Sequence, residues 1–265
     1  MSAKSSCAPP STDSTRMETP VTAPPTDRSV LITGGATGIG LGIAEAFLLA
    51  GDRVAITTHT SPVTENLAKR VFAERMEATD PAGVTATVGR LATMLDGRID
   101  VLVNNAGGLV ARRATDDSDD AHWHQVINLN LSSVFYAVRA ALPFMTDGGR
   151  IVSISSLAAH NGGGTGAGAY AAAKAGVEGF TRALAKELGP RGIAVSAIAP
   201  GLILETPFHA RFTPEADQLT TIAATPLRRA GTPADVAAAT LYLASDAGGF
   251  ASGTVLAVNG AAAFH

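Results

Sequence analysis

The chain has 265 residues, 20 basic and 23 acidic side chains for a formal charge of −3, 46% hydrophobic residues, 28 glycines and one cysteine. That balance argues against a nucleic-acid or basic membrane-binding surface, and one cysteine excludes an internal disulfide framework or a cysteine-cluster zinc site. No apolar run reaches the roughly 18 residues of a membrane span, so the sequence reads as a soluble, cytoplasmic protein.

Residues 1–27 contain no glycine and five of the 14 prolines (Pro9, Pro10, Pro20, Pro24 and Pro25). Such a stretch cannot bury enough surface to offset its ordering entropy, and it predicts a disordered extension. It has no apolar core of signal-peptide length. Met17 offers an alternative start, and Cys7 sits in this tail, away from any expected chemistry. Residues 28–265 are then one domain.

From Val30 the pattern is strand, glycine turn, helix, repeated. Residues 29–33 are an apolar run ending at Gly34, and a helical stretch follows to Ala50, with Gly51 as its stop. Residues 54–57 read as a second strand, and Asp80-Pro81 supplies an N-cap and an N1 proline to a helix ending near Gly97. Further strands are expected at 100–104, 150–155, 193–198 and 254–258, with Thr232-Pro233 capping a late helix. The alternation predicts a single-domain Rossmann-type α/β fold: a doubly wound parallel sheet with helices on both faces.

Three motifs carry chemistry. Thr33-Gly34-Gly35-Ala36-Thr37-Gly38-Ile39-Gly40 lies between the first strand and first helix. There glycines keep the turn tight and let the backbone approach a pyrophosphate at the helix N-terminus. Asn104-Asn105-Ala106-Gly107 ends a strand at the edge where ligands of open parallel sheets lie, although an Asx turn would explain it equally. Tyr170 and Lys174, four apart on a helical pattern with Ser155-Ser156 upstream, share one face. A lysine ammonium beside a phenol favours the phenolate and gives an acid/base group usable near neutral pH. His122 and His124 point to different faces of a helix start, and no cysteine or carboxylate completes a ligand set with them, so no metal site is expected.

Together with Asn130, Pro200-Gly201 and residues 225–236, these motifs resemble the classical short-chain dehydrogenase/reductase family, in its order and approximate spacing, from about Val30 to the C-terminus. The resemblance implies that Tyr170 exchanges a proton with a carbonyl or alcohol oxygen, and that Ser156 hydrogen-bonds that oxygen. It implies that Lys174 lowers the Tyr170 pKa and holds the nicotinamide ribose, and that Asn130 anchors a water leading to Lys174. For the dinucleotide it implies Gly34, Thr37, Gly38, Ile39 and Gly40 at the pyrophosphate. Asn104, Ala106, Gly107, Pro200, Gly201, Ile203 and Thr206 would lie along the nucleotide, with Glu77 and Ala78 at the adenine. The gap from Ser156 to Tyr170 is one residue longer than the commonest family spacing, and Gly162-Gly163-Gly164-Thr165-Gly166 fills it.

The end of the second strand, Thr57-Thr58-His59-Thr60, has no carboxylate to hold a ribose diol and repel a 2′-phosphate. Thr58 and His59 therefore favour NADP(H) over NAD(H). Three substrate loops (108–113, 157–169 and 202–214) carry Arg112, Arg113, His160, His209 and Arg211, which could face an anionic substrate or only solvent. Within the family the loops resemble bacterial reductases of the keto-uronate 4-deoxy-L-erythro-5-hexoseulose uronate. The alternatives are a 3-oxoacyl thioester reductase and, in another class, a non-catalytic dinucleotide-binding module. The expected partners are a small carbonyl or alcohol substrate and copies of the chain in a homotetramer or homodimer, with the small-residue run 167–175 suited to a close helix contact.

Overall fold

In a computed structural model, residues 27–264 are described; the expectations for residues 1–26, including Cys7 and Met17, lie outside them. Seven strands form one sheet in the order β3-β2-β1-β4-β5-β6-β7. They are β1 (Ser29–Ile32), β2 (Arg53–Thr58), β3 (Phe72–Arg75), β4 (Ile99–Asn104), β5 (Met145–Ile154), β6 (Ala194–Pro200) and β7 (Val255–Val258). Every pairing is parallel. Parallel strands need crossover helices, which cover both faces, so central strands are apolar throughout rather than alternating. Thus all four residues of β1 and all seven of β6 are buried.

The helices are α1 (Gly38–Leu49), α2 (Glu65–Ala68), α3 (Pro81–Met94), α4 (Asp120–Ile127), α5 (Ser133–Ala141), α6 (Ala158–Asn161), α7 (Gly168–Leu188), α8 (Pro207–Phe212), α9 (Glu215–Ala224) and α10 (Pro233–Leu243). A π turn, Asn128–Ser132, joins α4 to α5. On one face α1 and α10 bury Ile43, Phe47, Val236 and Leu243 against β1 and β2. On the other, α3, α5 and α7 bury Val88, Leu91, Val134, Val138, Val177 and Leu184. Local chemistry sets the helix starts. Asp80 accepts from the Ala82 N–H with Pro81 behind it, and Thr232 forms a capping box with Asp235.

The structure adds what the pattern did not announce. β3 is a four-residue, mostly exposed edge strand without apolar alternation, so it carries no strand signal. Strand β5 begins at Met145 rather than 150, passing through Gly148-Gly149 with a register shift opposite β4. The third substrate loop folds in part into α8, and α9 follows. Strand order reverses at β1 and β4, so the crevice beyond their carboxyl ends is the position where an open sheet binds ligands.

Candidate active site

The glycine turn after β1 is tied to both neighbouring strands. The Gly34 N–H donates to Thr57 Oγ1, the Gly35 N–H to the Thr57 carbonyl, and Thr33 Oγ1 accepts from the Asn105 and Ala106 N–H groups. Gly40 packs directly on the turn: a Cβ there would stand 2.1 Å from the Gly34 carbonyl oxygen. Thr37 precedes α1 but makes no side-chain cap, and the first turn carries no acid, so its leading N–H groups and positive dipole end stay available to an anion.

Asn104 is buried, its Nδ2 donates to Ser153 Oγ at 3.2 Å, and its Oδ1 has no hydrogen-bond partner among the described residues. Asn104 lines a small cavity with Thr33, Met76, Ala78 and Ala106. An uncapped helix start and an unmet acceptor at the switch point fit a dinucleotide with phosphates and a hydrogen-bonding nucleoside.

At the end of β2, Thr58 Oγ1 bonds the Ser61 carbonyl, and His59 Nε2 lies 2.9 Å from Glu77 Oε2. Thr79 donates to Glu77 from both its hydroxyl and its N–H, which with His59 holds the Glu77 carboxyl below the usual range. Arg75, at the end of β3, donates to the His59 carbonyl and brings a cation beside His59. Sequence reading missed Arg75 because β3 was unmarked; the register pairing Thr58 with Arg75 is what places it here.

Three consecutive residues leaving β5 grip α7. The Ile154 carbonyl accepts from Lys174 Nζ at 2.7 Å, Ser155 Oγ donates to Glu178 Oε1 at 2.8 Å, and the Ser156 hydroxyl stands beside the Tyr170 phenol and pulls its pKa down. Residues 170, 174 and 178 are successive i, i+4 positions on one helix face. Lys174 is 4% exposed, and burial brings its pKa down to about 8. For Tyr170, burial is the larger influence and raises the pKa, with Ser156 acting the other way. The expected depression by Lys174 is not what this arrangement shows: the ammonium is 5.7 Å from the Tyr170 ring centre and spends its hydrogen bond on the β5 carbonyl.

Asn130 is fully buried in the π turn between α4 and α5. Its Oδ1 accepts from the Gly108 N–H, and its Nδ2 donates to the Gly108 and Val126 carbonyls. The side chain thus pins the loop after β4. A Cβ on Gly107 would lie 2.7 Å from Asn130 Oδ1 and 3.3 Å from Lys174 Nζ, so Asn130, Gly107 and Lys174 converge. Beyond β6, the Gly201 N–H donates to the Val258 carbonyl, and Ile203 turns its side chain into the core. Thr206 Oγ1 donates to the Ile203 carbonyl and caps α8. Pro207 and Thr206 come against Gly38, closing that loop over the glycine turn.

α8 also covers the catalytic face. Phe208 lies 5.8 Å from the Tyr170 ring and 5.4 Å from Phe212. Arg112 binds the Phe212 carbonyl from Nε and the Thr165 carbonyl from Nη1, joining all three substrate loops. Two histidines differ from expectation. His160 is turned inward to Glu178 Oε1 at 2.9 Å, because the buried carboxylate needs a donor. His209 bonds Thr213 Oγ1, and burial with the nearby Arg112 charge lowers its pKa to about 4, so it is neutral at pH 7 and offers no charge to an anion. Arg113 is paired with Asp119, whereas Arg112 and Arg211 have no carboxylate partner among the described residues.

Residues 34–261 match the family model described as enoyl-(acyl carrier protein) reductase. A curated relative, the (2S)-((R)-hydroxy(phenyl)methyl)succinyl-CoA dehydrogenase subunit BbsD of Thauera aromatica, is 38% identical over 88% of this chain and 96% of its own length. The 3-oxoacyl-(acyl-carrier-protein) reductase FabG of Salmonella typhimurium is 35% identical over 87% of this chain and 95% of its own. Among solved structures, a short chain dehydrogenase from Burkholderia cenocepacia in complex with NADP superposes with a TM-score of 0.83 at 33% identity, covering 89% of this chain and 98% of that one.

Proposed function

The chain belongs to the classical short-chain dehydrogenase/reductase family and is an oxidoreductase of carbonyl and CH–OH groups that uses a nicotinamide dinucleotide; we propose that Tyr170 is its proton donor and acceptor, served by Ser156, Lys174 and Asn130. The observation that carries this reading is the single patch in which Ser156 meets Tyr170 while Lys174 stands one helical turn away, beside Gly107. When bound, the nicotinamide supplies or accepts the hydride.

In reduction, Tyr170 gives its phenolic proton to the substrate oxygen as that oxygen gains negative charge, and the Ser156 hydroxyl donates a hydrogen bond to the same atom. Burial keeps the phenol protonated at neutral pH, the form a donor requires. Lys174, titrating at about 8, is mostly an ammonium at pH 7 and opposes the charge left on Tyr170. Asn130 holds the Gly108 backbone and so keeps Gly107, which has no side chain to intrude, against both polar groups. The turn at Gly34, Thr37, Gly38, Ile39 and Gly40 would take the pyrophosphate, and Asn104, Ala106 and Ala78 the adenosine. Pro200, Gly201, Ile203 and Thr206 would flank the nicotinamide.

The cofactor reading is NADP(H). Thr58, His59 and Arg75 bring two basic side chains and a hydroxyl to the end of β2, the place for a 2′-phosphate, and the carboxylate there, Glu77, is engaged by His59 and Thr79.

For the substrate, the reading is a 3-oxoacyl thioester. Phe208, backed by Phe212, gives Tyr170 an apolar cover suited to an acyl chain, and Arg112 and Arg211, in contact with Phe212, offer cations to an anionic carrier. Both curated relatives reported above are named for acyl thioester substrates and neither for a sugar acid, so the keto-uronate resemblance draws no support from them. The test is NADPH oxidation with an acetoacetyl thioester against a keto-uronate: faster turnover of the thioester supports the reading, and a preference for the uronate overturns it. We also read the protein as a cytoplasmic homotetramer or homodimer. The groove of Leu131 in the π turn, Phe135 and Tyr136 on α5 and Phe180 on α7 is the apolar face for it, whereas Ala173 in the small-residue run packs inside the protomer.

A further inference from the structure

Glu178 is 3% exposed and lies on the α7 face that carries Tyr170 and Lys174. Its neighbours Val177 and Thr181 belong to the helix interior, where a carboxylate is costly unless donors meet it. Two donors do. Ser155 Oγ and His160 Nε2 reach the same oxygen, Oε1, at 2.8 and 2.9 Å. Ser155 is the residue before Ser156 and is itself 2% exposed, with its N–H fixed to the Ile198 carbonyl. His160 lies in α6, the short helix that opens the substrate loop, and the Ala158 N–H of that helix donates to Ser156 Oγ at 3.1 Å. One buried oxygen therefore ties Ser155, just beyond β5, and His160, within α6, on either side of Ser156, to the helix bearing Tyr170.

We propose that Glu178 is a positioning residue which, through Ser155 and His160, sets the Ser156 hydroxyl against the Tyr170 phenol. This rests on the proposed roles of Tyr170 and Ser156. The chemistry is hydrogen bonding: an acceptor at Oε1 is what the site needs, and a glutamine oxygen supplies one while a leucine does not. Losing the acceptor frees Ser155 and α6 to shift, and the donor geometry at the substrate oxygen degrades with them. Misplacement near 1 Å costs on the order of 100-fold in rate.

The test compares Glu178→Leu, Glu178→Gln and Tyr170→Phe with the parent enzyme for kcat, ketone KM, NADPH dissociation constant and melting temperature. We expect Glu178→Leu to lose about 100-fold in kcat, with cofactor affinity nearly retained, and Glu178→Gln to recover most of that loss. His160→Gln, which keeps a donor, should likewise exceed His160→Leu in kcat. Parental kcat in Glu178→Leu overturns the proposal, as does a loss that Glu178→Gln shares or one matched in cofactor affinity. If Tyr170→Phe itself turns over normally, the underlying reading fails. An inactive Tyr170→Phe beside a fully active Glu178→Leu sinks the positioning role alone.

Discussion

Lys174 Nζ donates a 2.7 Å hydrogen bond to the carbonyl oxygen of Ile154, the last residue of β5. That bond fixes the ammonium between the sheet edge and Tyr170, and burial brings its pKa down to about 8. The charged form exists below that value and is lost above it. The rate of carbonyl reduction should therefore be flat from about pH 6 to 7.5 and fall tenfold per pH unit above a midpoint near 8. A profile level to pH 10 would remove Lys174 from the rate. The opposite reaction needs the phenolate beside the ammonium and should rise with pH up to that midpoint and level off above it.

Arg75 offers a sharp test of cofactor choice, because it approaches His59 from a neighbouring strand. Arg75→Ala should weaken NADPH binding about tenfold, roughly 1.4 kcal/mol, and leave NADH nearly unaffected. Fluorescence titration with both reduced cofactors decides it. Equal losses for the two would show that Arg75 does not meet the 2′-phosphate.

The sequence carried the site more fully than its electrostatics. Asp80-Pro81 and Thr232-Pro233 announce helix starts because capping is local, and the structure has both. β3 is too short and too exposed to leave a pattern, and Arg75 was lost with it. Tyr170 and Lys174 are visible as an i, i+4 pair, but the sign of the Tyr170 shift depends on burial, which α8 and the β5 edge create at long range. His160 and His209 look alike in sequence as loop cations. Only the fold shows that one turns to Glu178 and the other is half-buried and neutral.

Phe208 covers the Tyr170 ring at 5.8 Å from a six-residue helix. Phe208→Ala should raise KM for an acyl ketone about three- to tenfold, matching the 0.5–1.5 kcal/mol of an aromatic contact, with a smaller effect on kcat. Steady-state kinetics with short and long acyl thioesters would show it, and an unchanged KM for both would place Phe208 outside the substrate path.

Away from the site, Arg28 and Asp52 form a buried bidentate pair, with Arg28 Nη1 also on the Ala244 carbonyl. Removing one partner strands a buried charge, so Asp52→Ala should cost about 3–5 kcal/mol in a urea unfolding experiment. A loss under about 1 kcal/mol would mean that the pair is solvated in solution.

The central claim is proton transfer by Tyr170, and single-turnover hydride transfer in Tyr170→Phe tests it most directly. The substitution keeps the ring packed under Phe208 and removes only the hydroxyl that meets Ser156. Mixing saturating NADPH and ketone with excess enzyme should give a rate about 10²- to 10⁴-fold below the parent, with the NADPH dissociation constant within about threefold. A parental rate in that variant would contradict the mechanism.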